Sequence, residues 1–426
     1  MQHLLFVTLG SLGDLHPMLG LAVEWQRRGG RSTLATSAFH QERVERAGVA
    51  FTPLRPEFDP TDPELLEQVL DLRFGMVRLL RDLSFPHVRE QYEDLQAFLE
   101  DAGAEGRPVV GVVASELAFA APVLAEHRRL PIASVILQPM AFVSAHDPPV
   151  VPLFPVLSRM RWLGPRITDA LIRTTERLAL RWARPVVELR RELGLGEEGS
   201  RITRAKEHAD LALALFSPVL GTPQPDWPER ALQCGYPFFR EPGSGSLSRA
   251  LEDFLDSGPP PIVFTLGSAA VFQPGSYYTA ALDAAQRLGR RAVLMVGEED
   301  RSGLPARLPE TMHAEPYAPF ADLFPRAAAV AHAGGIGTTG EALRAGVPQL
   351  VVPWSQDQPD NAARVKRLGV ARVLPRDRFA AASAERELAG LLADEGLRNR
   401  AEQVAQQVRG ERGAELACEA LARLLR

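Results

Sequence analysis

The sequence predicts an α/β protein built from two doubly wound parallel-sheet domains, and three observations predict it. Short apolar runs alternate with helical segments in each half of the chain. A stretch rich in proline and glycine, residues 221–261, interrupts that alternation near the middle. A glycine-rich turn at 332–341 then joins an apolar run to a helix, as ligand loops do at the end of a parallel strand.

The elements follow in order. Residues 4–9 read as a buried strand and 10–14 as a loop. A helix follows from about Pro17, with Met18, Leu21, Ala22 and Trp25 at helical spacing. Gly29-Gly30 stops it, and 31–35 starts the next strand. Runs at 109–114 and 132–137 are further strands, separated by a helix. Pro223, Pro225, Pro228, Pro237 and Pro259-Pro260-Pro261 mark a connection with one short helix, about 248–255. Strands resume at 262–266, 292–296, 327–331, 349–352 and 371–374. The divisions expected are an N-terminal domain 1–225, a connection 226–261, a C-terminal domain 262–411, and a last helix 412–426 that crosses back to the first domain.

Composition narrows the class. The chain has 426 residues, 46% hydrophobic and 24% charged, which suits a globular protein with more than one core. A net charge of −5 leaves no basic field to attract nucleic acid. The two cysteines, Cys234 and Cys418, sit in no metal or redox spacing, so a reducing cytoplasm is expected. No basic, then apolar, leader opens the chain, and no run nears the roughly 20 apolar residues that cross a bilayer.

The richest stretch runs from His332 to Asn361. Gly334, Gly335 and Gly337 let the backbone approach a ligand, and Thr338 and Thr339 stand where a helix should offer free N–H groups to an anion. The helix should span about 338–345, with Gly346 as C-cap. Asp357 and Gln358 follow the next strand. Read locally, each has a plain alternative: His332 a satisfied strand-end histidine, the threonines a helix start, Glu341 a first-turn acid, Asp357 and Gln358 a solvated loop.

The motif resembles the donor signature of family 1 glycosyltransferases, at His332, Gly334, Gly335, Gly337, Thr338, Thr339, Glu341, Gly346, Pro348, Pro353, Asp357, Gln358 and Asn361. That resemblance implies the GT-B fold: two facing Rossmann-like domains with a cleft between them. It also implies roles. His332, Gly334, Gly335, Gly337, Thr338 and Thr339 would meet the donor diphosphate, Glu341 the ribose, and Asp357 with Gln358 the sugar hydroxyls. Gly267-Ser268 looks like the second phosphate loop, a tight turn being the alternative. Tyr317, in Tyr317-Ala318-Pro319-Phe320, stands where relatives stack a tryptophan on the base; a core aromatic competes with that role, and Phe320 replaces a glutamine, so uracil and thymine both stay open.

The loop Gly10-Ser11-Leu12-Gly13-Asp14-Leu15-His16-Pro17 resembles the base-bearing loop of bacterial antibiotic, sterol and rhamnolipid glycosyltransferases. Asp14 falls at the base position; a cap for the following helix is the local alternative. His16 is the rival base, or orients Asp14, or lines the acceptor pocket. The implied reaction is inverting transfer from a UDP- or dTDP-sugar, with no metal and no cofactor, to a small hydrophobic acceptor such as a polyketide, flavonoid or sterol. Residues 58–155, rich in Leu, Phe, Val and Met, suit such an acceptor and equally any core. Residues 159–191 hold nine arginines against three acids. That basic amphipathic face suits solvent, or anionic lipid at the inner membrane surface, the alternative function being rhamnolipid-type glycosylation. A silent donor-binding subunit is the remaining reading; oligomeric state stays open.

Overall fold

The computed structural model describes residues 1–57, 59, 62–154, 161–196, 209–243, 245–298 and 302–426, without the side chains of 161 and 178. Phe58, Pro155, Arg159 and Ser244, used in the sequence reading, lie outside the described residues. The chain forms two compact units. One holds Met1–Asp59, Phe74–Gly243 and Arg412–Arg426; the other holds Pro60–Arg73 and Ser244–Glu411.

The first unit is built on a seven-stranded sheet in the order β3-β2-β1-β4-β5-β6-β7. Its strands are β1 His3–Val7, β2 Arg31–Thr36, β3 Ala50–Pro53, β4 Val109–Ser115, β5 Ile132–Ile136, β6 Leu211–Ala214 and β7 Ala231–Gln233. Every recorded pairing is parallel. The second unit has six strands in the order β10-β9-β8-β11-β12-β13, again all parallel. These are β8 Ile262–Thr265, β9 Ala292–Met295, β10 Met312–Glu315, β11 Ala329–His332, β12 Gln349–Val351 and β13 Ala371–Val373.

In each sheet the order reverses between two central strands, β1 and β4 in one, β8 and β11 in the other. Loops leaving the carboxyl ends of such strands are where doubly wound sheets take ligands. Burial explains why most of the inner strands are largely apolar: with helices on both faces, side chains of either parity are inside.

Three boundaries differ from the sequence reading. The first helix is Leu12–Arg27 and starts at Ser11, not near Pro17, because the Ser11 hydroxyl accepts the Gly13 N–H at 3.2 Å. The Gly-rich helix is Ile336–Ala345, two residues longer at its start, with Gly346 as expected in the left-handed region at φ 74°. The Pro-rich connection is not a separate stretch: β7 completes the first sheet, while the helix Arg249–Asp256 joins the second unit. The last helix, Gly413–Leu424, packs in the first unit, where Cys418 Sγ lies 3.5 Å from the Leu21 carbonyl on the Leu12 helix.

Candidate active site

In the second unit the loops after β8 and β11 lie side by side at the switch point. Gly267 (φ 71°) opens the short helix Gly267–Ala270, and a Cβ built on it would sit 3.6 Å from Thr338 Oγ1. The two sequence-expected phosphate loops are therefore neighbours. Gly334 (φ 92°) makes the turn after β11; a Cβ there would come 2.7 Å from Val351 Cγ1, which leaves room for glycine alone. Gly335 is the N-cap of the Ile336 helix, Gly337 is exposed in its first turn, and Thr338 and Ser268 are half-buried beside it. A helix N-terminus with two hydroxyls close to it is a place that can take an anion, although Asp357 already accepts the Ile336 N–H.

Two expected phosphate contacts point elsewhere. His332 is fully buried and spends both ring nitrogens inside the fold: Nδ1 accepts the Gly334 N–H at 3.1 Å, and Nε2–H donates to Gln349 Oε1 at 3.0 Å. Burial pulls its pKa down to about 4, against the smaller opposing effect of Gln349. A neutral ring with no donor to present shapes the glycine turn rather than binding a diphosphate. Thr339 is also fully buried, its hydroxyl turned into the core.

Asp357 and Gln358 hold the rim together. Asp357 Oδ2 accepts the Ile336 N–H at 3.2 Å and Asn361 Nδ2–H at 2.6 Å, and Asn361 also donates to the Gly334 carbonyl at 3.0 Å. Burial of the Asp357 carboxyl outweighs those hydrogen bonds and raises its pKa to about 6. Gln358 Oε1 accepts the N–H groups of Trp354 and Ser355 at 2.7 and 3.0 Å. Glu341 pairs with Arg344, one turn on, at 2.8 Å; burial still raises its pKa. Tyr317 stands 47% exposed, unlike a core aromatic, whereas Phe320 stacks inward on Phe324.

In the first unit, the loop after β1 is fixed by its own cap. Asp14 is the third residue of the Leu12 helix, and its Oδ2 accepts the Ser11 N–H at 2.9 Å, completing a capping box. Gly10 (φ 124°) lies so close that a Cβ would meet the Asp14 carboxylate at 2.2 Å. His16 is two residues on, about 200° round the helix. Its ring packs on Phe239 with Nε2 3.7 Å from Glu241 Oε2. Sequence reasoning missed His40, whose Nε2–H donates to the Gly10 carbonyl at 3.1 Å, and the buried Glu241, held at 2.9 Å by Arg43. Neither carries a motif, since only folding brings them to the loop.

The arginine-rich stretch yields the helix Pro165–Ala179, with Trp162 79% exposed and Ile167 exposed nearby. Arg173 and Arg184 pair with Asp169 and Glu188 one turn away, and Arg190 is buried against Glu126. Among the described residues no group of His, Cys, Asp or Glu is arranged to hold a metal ion. No helix among them is long and apolar enough to cross a membrane.

Two Rossmann-like units, with glycine loops at their switch points, are the architecture of GT-B glycosyltransferases. Residues 279–420 match the family described as erythromycin biosynthesis protein CIII-like, C-terminal domain. The chain is 34% identical over 428 residues to O-mycaminosyltylonolide 6-deoxyallosyltransferase of Streptomyces fradiae, covering 97% of this chain and 95% of that one. It is 27% identical to sterol 3-beta-glucosyltransferase of Aspergillus terreus over 98% of its own length, but spans 29% of that protein. The glycosyltransferase VinC, solved in complex with dTDP, superimposes with a TM-score of 0.68 at 19% identity, covering 100% of this chain and 99% of the other. The chain belongs to the family 1 glycosyltransferases, and it is an enzyme of that kind.

Proposed function

We propose that this enzyme transfers a sugar from a dTDP- or UDP-sugar, with inversion and without a metal ion, to a hydroxyl of a small hydrophobic acceptor of the polyketide, flavonoid or sterol kind. One observation carries the reading: the Gly267 and Gly334 loops meet at Thr338, over the start of a ten-residue helix. A leaving diphosphate there gains backbone N–H groups, the Thr338 and Ser268 hydroxyls and the positive helix end as its charge develops. Tyr317 offers an exposed ring to the base, Glu341 a carboxylate to the ribose hydroxyls, and Asp357 with Gln358 polar atoms to the sugar. Asp14, pre-set by its capping box, takes the acceptor proton as the hydroxyl attacks the anomeric carbon from the face opposite the diphosphate. The bound dTDP of VinC and the tylonolide and sterol acceptors named for the relatives support these choices.

The test is transfer from dTDP- and UDP-sugars in EDTA to acceptors graded by hydrophobicity. Transfer from neither donor, or activity only on restoring a divalent cation, would defeat the proposal. Exposed Trp162 and Ile167 beside Arg166 favour a second acceptor type, a lipid at a membrane surface. Cosedimentation with anionic vesicles, lost in Trp162→Ala, is the expected sign of it.

A further inference from the structure

Residues Pro60–Arg73 follow β3 in the chain, yet they belong to the second unit. Their helix, Pro63–Val69, starts at Asp62, whose side chain accepts the Glu64 N–H at 2.9 Å. Leu66 and Leu70 are buried in the same apolar cluster as Tyr277, Trp354 and Phe379. Two glutamine side chains grip this helix by its carbonyls: Gln273 Nε2 donates to Pro63 at 2.7 Å, and Gln356 Nε2 donates to Val69 at 2.8 Å. The second bond matters more, because the last carbonyls of a helix have no partner within it.

Gln356 is itself left-handed, at φ 56°. A residue with a side chain keeps that conformation where its surroundings over-determine it. Asp357 and Gln358 come directly after. On the other side of the loop the Arg376 guanidinium lies 4.3 Å over the Trp354 ring, and Asp71, from the same inserted segment, sets a negative charge against it. The loop 354–358 is thus held at Gln356 by Val69 from far earlier in the chain and at Trp354 by Arg376, whose charge Asp71 of the same inserted segment opposes.

We propose that Gln356 is a positioning residue for the donor sugar: its bond to Val69 locks the loop that presents Asp357 and Gln358. This rests on the reading above that those two side chains meet the sugar. The diphosphate meets other atoms, at Gly267, Ser268 and Gly334–Thr338, so loss of the lock separates the two parts of the donor.

Two variants test it from opposite sides. Gln356→Glu keeps the side-chain length but removes the donor, and Leu66→Ala loosens the helix that supplies the Val69 carbonyl. Each is titrated with dTDP and dTDP-glucose, or the UDP pair if that binds better, and the amide exchange of 352–361 is followed without ligand. In both variants affinity for the nucleotide sugar should fall about fivefold, the equivalent of one hydrogen bond at 1.4 kcal/mol per tenfold. Affinity for the nucleoside diphosphate should change less than about twofold, within the spread of a neutral substitution. Amide exchange in the loop should quicken. Equal loss for both ligands, or unchanged exchange in both variants, overturns the proposal. If the unmodified protein binds the sugar nucleotide no better than the nucleoside diphosphate, the sugar role of Asp357 and Gln358 fails instead. The lock is then judged by exchange alone, upheld if it quickens and overturned if it does not.

Discussion

Asp14 has two jobs to separate, a cap and a base, and Asp14→Asn separates them. The asparagine carbonyl can still accept the Ser11 N–H that Oδ2 now receives at 2.9 Å, so the capping box survives. What disappears is one negative charge at a helix N-terminus, worth about 0.3–1 kcal/mol. Melting should then drop by no more than about 4 °C, at about 2–4 °C per kcal/mol for a domain of this size. An amide cannot take the acceptor proton, so transfer should slow by about 10²- to 10⁴-fold, or about 2.7–5.5 kcal/mol of barrier. Ser11→Ala is the mirror image: it loses the hydroxyl that holds the Gly13 N–H at 3.2 Å, costing about 0.5–2 kcal/mol of stability, and it keeps the carboxylate. The assay pairs initial rates at saturating donor with melting curves for both variants. If Asp14→Asn keeps more than a tenth of the rate, or if Ser11→Ala slows transfer as much, Asp14 is a cap and not the base.

Other outcomes follow from the same geometry. Gly334→Ala meets both a φ of 92° and the Val351 side chain at 2.7 Å, so it should destabilise the second unit by about 1–3 kcal/mol and abolish nucleotide binding, read by denaturation and titration. Tyr317→Ala should weaken nucleotide binding by about 3- to 10-fold, the worth of an aromatic stacking contact, and leave melting unchanged because the ring is exposed; a full-strength titration would remove it from the site. Acid stability carries two opposed slopes. His332 has a folded pKa of about 4 against 6.5 unfolded, so its share of stability is complete above pH 6.5 and falls by up to about 3 kcal/mol toward pH 4. Asp357, raised from 3.8 to about 6, acts the other way: its burden is full above pH 6 and is relieved as pH falls toward 3.8. Asp357→Asn should therefore uncover a loss of about 3 kcal/mol between pH 7 and 4 in urea titrations, where the unmodified protein changes little. Identical pH slopes for the two proteins would contradict the assignment.

Local chemistry alone determined a good deal. Apolar runs marked most strands of both sheets, because a parallel strand covered on both faces must be apolar at every position. The short edge strands β3, β7 and β10 lacked that signature and escaped notice, as did β6, although it is an apolar and largely buried run. Glycines at 267, 334 and 346 marked their turns, because a left-handed backbone leaves a local trace. Side-chain direction leaves none. His332 has the sequence context of a phosphate ligand, yet Gln349, two residues before its register partner Val351 on the next strand, accepts its Nε2–H and turns it inward. The local alternative for Asp14, a cap for a helix at Pro17, gave way to the third position of a helix that begins earlier. The partners of Gly10, His16 and Gln356 are His40, Glu241 and Val69, at separations from 30 to 287 residues. No periodicity or spacing encodes such pairs. They exist because two sheets, once wound, bring distant carbonyls and rings to the same few loop ends.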